Sequence, residues 1–301
     1  MTTMPVTTGP PRAPGDLRMT PGRWLALVIG VPIALALIGW TGFSFIASLG
    51  RGSFPVQVTI PVHDGHLVAN TGGGDITVHQ GQAGSGEARL VGTVQYSLVR
   101  PRFTVRGSDI NVDCHFPNDN CGLNATLDVP AHTALQLTSG GGNMQVSAIH
   151  SAVTLDSGGG DVTVAGIGGI ADVTTGGGNL TASDLGDIRQ FSTDGGDVNG
   201  NDLFAPQVKT ESGGGNVTLV FTMAPANLNI ISDGGDITLV LPDSTTTSYA
   251  ITEQTEGGDY SNSVPTSSSS SHTISVDSGG GNVSIAQASR AAFELSSLGA
   301  E

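Results

Sequence analysis

A glycine-centred unit recurs along this chain, and its period restricts the folds that the chain can adopt. The stretch Leu135 to Val164 contains it twice, as LQLTSGGGNMQV and VTLDSGGGDVTV, and five more copies begin at Val173, Phe191, Glu211, Ile231 and Asp277. The Asp or Asn that closes each glycine turn recurs from Asn143 at gaps of 18, 18, 18, 19, 20, 23 and 23 residues. A near-constant period of this length is typical of a solenoid, in which each repeat forms one coil.

Apolar residues occupy fixed places relative to the closing residue of each turn. They lie six residues before it, one after it and three after it, and a fourth apolar column follows at Ile149, Ile167, Leu185 and Leu203. The residues between these columns are small or polar, which is the alternation of strands with one buried face. The sequence therefore predicts an all-β fold, a parallel β-helix or solenoid with coils of about 18–23 residues.

Asn and Asp alternate at the closing position, and this alternation predicts a structural ladder. Stacked carboxylates would lie about 4.8 Å apart and repel one another, whereas an interposed Asn doubles their spacing. A calcium ladder would favour a carboxylate in every coil, so no metal or cofactor is predicted; weak cation candidates remain in two pairs, Asp194 with Asp197 and Asp233 with Asp236. The predicted ladder comprises Asp75, Asn143, Asp161, Asn179, Asp197, Asn216, Asp236 and Asn282.

The N-terminal 50 residues predict a membrane anchor. Trp24 to Leu49 contains no charged residue and is long enough to cross a bilayer as a helix. Three arginines precede this segment and Arg51 alone follows it closely, so residues 1–22 are predicted to be a disordered cytoplasmic leader and 23–50 a transmembrane helix. A cleaved signal peptide is the alternative, although its apolar region is usually shorter. The anchor places the rest of the chain outside the cell membrane.

The extracytoplasmic solenoid is predicted to span residues 54–290. An early copy of the repeat, HLVANTGGGDITVHQ, lies 68 residues before the next copy, and the longer strands in 83–131 are predicted to form a β cap or insertion. A binding role for this insertion is the alternative. The Ser- and Thr-rich segment 243–273 predicts loops, and 291–301 is a C-terminal tail.

Cys114 and Cys121 predict a disulfide, because an extracytoplasmic domain lies in an oxidising compartment and CHFPNDNC can close a short loop. Two alternatives are a pair of free thiols and a metal site that includes His115. A structural zinc site normally has four ligands, and the sequence offers one cysteine pair.

Charge excludes one class of partner. Beyond residue 53 the chain has 25 Asp and Glu residues against 7 Lys and Arg residues, so nucleic acid is not an expected partner. Arg100, Arg102 and Arg106 form a basic cluster with the spacing of one strand face. The cluster either pairs with carboxylates of the chain or contacts an anionic surface polymer.

The segment LDVPAHTALQLTSGGGNMQV and the SGGGDVTV-like units after it resemble a bacterial family of domains of unknown function labelled "putative adhesins". The resemblance covers roughly residues 60–287. It implies a right-handed β-helix-like solenoid on a membrane-anchored protein at the cell surface. It transfers no catalytic residue, since the family has no agreed active site.

Together these features predict a non-enzymatic cell-surface module, an adhesin or envelope scaffold that presents a repetitive face to a cell-wall polymer or a surface protein. A polysaccharide-active lyase or hydrolase is one alternative, because β-helices also carry paired Asp residues in grooves. The seven histidines, however, show no triad-like spacing. A purely structural stalk is the other alternative, and the sequence predicts no oligomeric state.

Overall fold

A computed structural model describes residues 51–62, 64–81, 86–97, 99–115 and 121–288. The predicted leader 1–22, transmembrane helix 23–50 and tail 291–301 lie outside these residues. Within the described ranges, no helix is long and apolar enough to cross a membrane.

The described residues form 23 strands, as the alternating pattern predicts. Seven strands precede the regular array, and sixteen more follow from the first LQLTS segment to the end of the described chain. Their bounds are β1 Arg51–Pro61, β2 His66–Asn70, β3 Ile76–Gln80, β4 Glu87–Ser97, β5 Arg102–Arg106, β6 Asp109–Asp113, β7 Gly122–Val129, β8 Ala134–Ser139, β9 Met144–Ser147, β10 Val153–Ser157, β11 Val162–Ile167, β12 Ala171–Thr175, β13 Leu180–Leu185, β14 Ile188–Thr193, β15 Val198–Leu203, β16 Gln207–Ser212, β17 Val217–Phe221, β18 Asn227–Ser232, β19 Ile237–Leu241, β20 Ala250–Thr255, β21 Tyr260–Asn262, β22 Thr273–Ser278 and β23 Val283–Gln287.

The strands form two long sheets, and each repeat contributes one strand to each. Sheet 1 has the order β1-β4-β7-β3-β9-β11-β13-β15-β17-β19-β23-β21, and sheet 2 has the order β20-β22-β18-β16-β14-β12-β10-β8-β2-β6-β5. One rung is a strand of sheet 2, a glycine turn and a strand of sheet 1. Because equivalent strands pair in parallel with the rungs on either side, the predicted all-β solenoid is confirmed as two parallel sheets.

The core lies between the sheets and consists of the predicted columns. Leu155, Val162 and Val164 are each at most 1% exposed, and the equivalent residues of the neighbouring rungs are buried as well. The rung of β14 and β15 combines the largest residue of its column, Phe191, with the smallest residue of another, Gly200. Large and small side chains in one rung keep the packed volume nearly constant from rung to rung.

The early copy of the repeat stacks directly on the regular array, despite the 68 residues between them. β2 pairs in parallel with β8, and β3 pairs in parallel with β9. On its other side, β6 and β7 form a further rung, and there the pairing changes: β4 and β5 run antiparallel to β7 and β6. The segment 83–131 therefore supplies the strands that continue both sheets beyond the first copy.

The disulfide replaces the glycine turn in this outer rung. Cys114 and Cys121 are bonded, with 5.8 Å between their Cα atoms, and they join the end of β6 to the start of β7. The predicted disulfide is confirmed. The bond links the two sheets at the place where a four-residue turn links them in the regular rungs.

At the opposite end of the solenoid, the order of the rungs in space differs from their order in the chain. The segment 243–273, predicted to be rich in loops, contains the strands β20 and β21, and the last copy of the repeat, β22 and β23, is inserted between them and the rung of β18 and β19. The degenerate sequence EGGDY is therefore the turn of the outermost rung. The sequence of this rung suits the outermost place, because Glu253 and Asn262 occupy the inward positions that Val276 and Ile285 fill in the rung of β22 and β23.

Candidate functional site

The glycine turns form one edge of the solenoid, and a hydrogen-bonded ladder runs along it. The backbone N–H of each closing residue donates to the side-chain Oδ1 of the closing residue in the neighbouring rung, at 2.7–2.9 Å. The ladder holds all eight predicted members and adds Asn124 and Asp259. Its order in space is Asn124, Asp75, Asn143, Asp161, Asn179, Asp197, Asn216, Asp236, Asn282 and Asp259.

Asn124 has no glycine turn before it, so the repeat pattern could not identify it. Its rung carries the disulfide instead. Asn and Asp alternate without a break along all ten positions, because the inserted rung brings Asn282 between Asp236 and Asp259. No two carboxylates of the ladder are therefore neighbours.

A second ladder of buried hydroxyl groups lies beneath the turns. The Thr193 hydroxyl accepts a hydrogen bond from the Gly196 amide at 3.0 Å and donates to the Gly178 carbonyl of the adjacent rung at 3.0 Å. The last glycine of each turn also touches the adjacent rung, and a Cβ on Gly178 would overlap the Gly160 carbonyl. The turn residues are thus held by backbone geometry, as expected of a structural element.

The two carboxylate pairs lie on this edge. Asp197 and Asp236 accept ladder hydrogen bonds, whereas Asp194 and Asp233 are exposed at the first position of their turns. Among the described residues, no three His, Cys, Asp or Glu side chains are grouped in a way that could hold a metal ion. The weak cation binding of these pairs stays a prediction.

The outer face of sheet 1 carries an uncharged row from one edge to the other. Thr163 points outward between the buried Val162 and Val164, and its in-register partners occupy the same position in all twelve strands. We call this set the sheet 1 row: Gln57, Val91, Thr126, Thr77, Gln145, Thr163, Thr181, Asn199, Thr218, Thr238, Ser284 and Ser261. None of its side chains is ionisable.

The outer face of sheet 2 is charged. Its corresponding in-register row includes Asp156, Glu211 and Asp277. Lys209 forms an ion pair with Glu211, with 2.6 Å between Nζ and Oε1, and Arg189 lies 3.6 Å from Asp172. The two faces therefore differ in charge although their strands belong to the same repeats.

A shallow groove of about 620 Å³ lies on the sheet 2 side, near the start of β14, β16 and β18. Arg189 and Lys209, the only Lys or Arg residues between 107 and 289, both line it. Asp187 is the one carboxylate in its lining, and Ile170 and Pro206 contribute apolar surface. A glycoside hydrolase needs two carboxyl groups that flank the bond to be cleaved, and this groove provides one.

A histidine contact that sequence spacing did not reveal lies on sheet 1. His79 Nδ1 is 2.8 Å from Ser147 Oγ, and Asp128 is the register partner of His79 on the other side. A carboxylate, an imidazole and a hydroxyl thus follow one another across three adjacent strands. Acyl transfer also needs free donors for the developing oxyanion, but these strands use their amides in the parallel ladder.

The three arginines of the basic cluster do not share one environment: Arg100 packs on an aromatic ring, whereas Arg102 and Arg106 lie on the edge strand β5. The Arg100 guanidinium lies 4.2 Å from the centroid of the Phe54 ring, a cation–π contact. Arg102 and Arg106 are exposed at the two ends of the edge strand β5 and lie opposite Asp113 and Asp109 in register. This register favours pairing within the chain, and contact with an anionic polymer stays a prediction.

Comparison with known proteins identifies one family and several solved structures. A putative lipid binding protein from Parabacteroides distasonis is 15% identical, with 79% of this chain and 97% of that chain covered and a TM-score of 0.44. A putative adhesin from Bacteroides fragilis is 15% identical, with 78% of this chain and 97% of that chain covered and a TM-score of 0.40. A putative cell adhesion protein from Clostridium sporogenes is 13% identical, with 79% of this chain and 100% of that chain covered and a TM-score of 0.29. No curated protein matches the chain. The family model Toastrack DUF4097 matches residues 39–289, which include every described strand.

Proposed function

The chain belongs to the Toastrack DUF4097 family, and from this premise we propose that it is a non-enzymatic cell-surface module, an adhesin or scaffold that binds a component of the cell envelope. The observation that carries the proposal is the sheet 1 row, a regular outer surface continuous across twelve strands. Solenoids commonly bind partners on such extended surfaces. A repetitive surface suits a repetitive partner, since one contact can recur from rung to rung.

Two features support a position outside the cell membrane. The Cys114–Cys121 disulfide is typical of an oxidising compartment. The apolar segment 23–50, with its preceding arginines, would anchor the chain with residues 1–22 in the cytoplasm. On this proposal, residues 54–290 face the envelope.

The carboxylates support a binding role over glycan cleavage. The ladder carboxylates accept backbone hydrogen bonds, which fixes them in the turn edge. The groove near β14 and β16 offers Asp187 alone. The His79 and Ser147 pair lies on an open strand face and lacks the donors that acyl transfer requires.

The test is cosedimentation of the full-length chain with purified cell walls that have been freed of membrane. The chain is expected to sediment with the walls, and a variant without residues 54–301 is expected to stay in the supernatant. Equal sedimentation of the two forms contradicts the proposal. If the full-length chain is folded and does not sediment with the walls, the proposal is also contradicted, and this result favours a structural stalk.

The enzymatic alternative is tested with the same walls. A variant with Asp194→Asn and Asp233→Asn should bind like the parent chain, and neither protein should release soluble sugar. Sugar release that depends on these carboxylates would establish a glycan-active enzyme instead.

A further inference from the structure

We propose that the outer face of sheet 1 binds an uncharged polysaccharide. This proposal rests on the proposed function and adds the ligand class and the binding face. It starts from the distribution of charge: the chain has a net charge of -15, yet the sheet 1 row crosses twelve strands without an ionisable side chain. Sheet 2, built from the same repeats, exposes Asp156, Glu211 and Asp277 in its matching row.

A second row strengthens the contrast. From β9 to β23 the next outward positions of sheet 1 are also uncharged: Ser147, Ala165, Ser183, Asn201, Val220, Val240 and Ala286. Charged side chains border this row in two places: Arg89 lies opposite Asp128 towards the cap, and Asp184 and Asp202 are exposed beside it in β13 and β15. From β9 onwards the two rows themselves are therefore neutral, and carboxylates lie only at their borders, on the turn edge and at Asp184 and Asp202.

The side chains of the sheet 1 row are matched to hydroxyl groups. Thr and Ser hydroxyls, and Asn and Gln amides, can both donate and accept hydrogen bonds. Sugar hydroxyls do the same, so the two surfaces can pair in many orientations. Anionic polymers offer mainly acceptors and are repelled by the negative net charge, while a cationic partner would find its opposite charges on sheet 2.

A protein partner fits this face less well. With about 4.8 Å between strands and about 3.3 Å per residue, the face measures roughly 53 by 16 Å, an area of the size that a stable protein interface needs. Protein interfaces are anchored by aromatic, Met or Arg side chains, and neither outward row contains one. A dry contact would also bury many hydroxyls, each at a cost of about 1–3 kcal/mol unless it is paired.

The repeated geometry predicts how such a polymer would bind. Each rung offers a weak contact, and the contacts recur about every 4.8 Å, so a long chain gains avidity that a short one lacks. Binding should therefore require a polymer, and because no charge is involved it should change little with ionic strength.

The experiment is affinity electrophoresis of the full-length chain, held in a nonionic detergent, through native gels that contain one polymer each. Hydroxyethyl cellulose, galactomannan and linear arabinan are the neutral probes, and carboxymethyl cellulose is the anionic counterpart of the first. At least one neutral polymer is expected to retard the chain, while its tetrasaccharide is not. A change from about 0.05 to 0.5 M salt should leave the retardation unchanged, since no charge pairing is screened.

Matched variants locate the face. Thr181→Glu with Thr218→Glu places two charges in the sheet 1 row and is expected to weaken retardation about tenfold or more, because the repeated contact is interrupted. Thr154→Glu with Thr174→Glu makes the same exchange at outward positions of sheet 2 and should have no effect. Circular dichroism establishes that both variants fold.

Three results overturn the proposal: no retardation by any neutral polymer, retardation by carboxymethyl cellulose alone, or equal loss in both variants. A dimer in light scattering that Thr181→Glu with Thr218→Glu dissociates would assign the face to a second copy, which also overturns it. If the chain still binds cell walls while the polysaccharide tests give one of these results, the proposed function is retained, but the ligand or the binding face is a different one.

Discussion

One buried hydroxyl group of the core, that of Thr210, has no hydrogen-bond partner among the described residues, so a substitution at this position can raise the stability of the fold. Thr210 occupies the inward column between Phe191 and Ile230, and it is 0% exposed. Among the described residues, its Oγ1 has no hydrogen-bond partner. Thr210→Val should therefore stabilise the solenoid, since valine has nearly the same shape and no polar group.

The magnitude follows from the environment of the hydroxyl. A hydroxyl buried without a hydrogen bond costs about 1–3 kcal/mol, and the added methyl group contributes about 0.8 kcal/mol on burial. A methyl group is slightly larger than a hydroxyl, and this strain offsets part of the gain. We expect the free energy of unfolding to rise by about 1–2 kcal/mol.

Thr193→Val is the matched control, because it makes the same exchange where the hydroxyl is used. The Thr193 hydroxyl bonds the Gly196 amide and the Gly178 carbonyl, so its removal leaves buried groups unpaired. This variant should lose about 1–3 kcal/mol. The same substitution thus has opposite signs in adjacent rungs.

The assay is urea unfolding of both variants, with hydrogen exchange of the β14 and β16 amides because long repeat arrays can unfold in parts. The Thr210→Val midpoint should rise and the Thr193→Val midpoint should fall. A fall for Thr210→Val comparable to that of the control would refute the reasoning, since it would mean that the Thr210 hydroxyl is satisfied.

Four further predictions concern the turn edge, the cap and a buried tyrosine. Gly178→Ala should cost about 1–3 kcal/mol or more by urea unfolding, because its Cβ meets a neighbouring carbonyl, whereas Gly177→Ala has open space and should be neutral or gain about 0.4–1 kcal/mol. Asn179→Asp makes three adjacent carboxylates and should lower stability by about 1–2 kcal/mol at low salt, with partial recovery at about 0.5 M salt. Reduction of the disulfide should cost about 2–3 kcal/mol for its short loop, and faster hydrogen exchange should be confined to β5, β6 and β7. Burial raises the pKa of Tyr249 above its usual 10.0, so the folded state keeps a proton that the unfolded chain loses; stability should fall as pH rises above about 10, and Tyr249→Phe should remove that part of the fall.

The sequence predicted the rungs well because their determinants are local. The glycine turn, the inward columns and the ladder are written within one period, so Leu155, Val162 and Asp161 could be assigned from spacing alone. The disulfide followed from a pair of cysteines seven residues apart. Each of these features depends on residues close together in the chain.

The features that the sequence did not reveal depend on strands that are far apart in the chain. β22 and β23 pair ahead of β20 and β21, and the residues that favour this order, the inward Glu253 and the ladder residue Asn282, lie in different rungs. Asn124 joins the ladder from a rung without a glycine turn, and His79 meets Ser147 across 68 residues. The edge-to-edge neutrality of the sheet 1 row likewise needs the register of the antiparallel cap strands.

The unbroken alternation of Asn and Asp along the ladder also favours the correct stacking order of the rungs during folding. A solenoid of similar rungs can misassemble by omitting a rung, and any single omission would place Asp beside Asp or Asn beside Asn. At the far end, assembly in chain order would bring the carboxylates of Asp236 and Asp259 together, while the observed order separates them with Asn282. A row of two alternating residue types thereby distinguishes odd rungs from even ones, and it penalises a misthreaded chain at the position of the error.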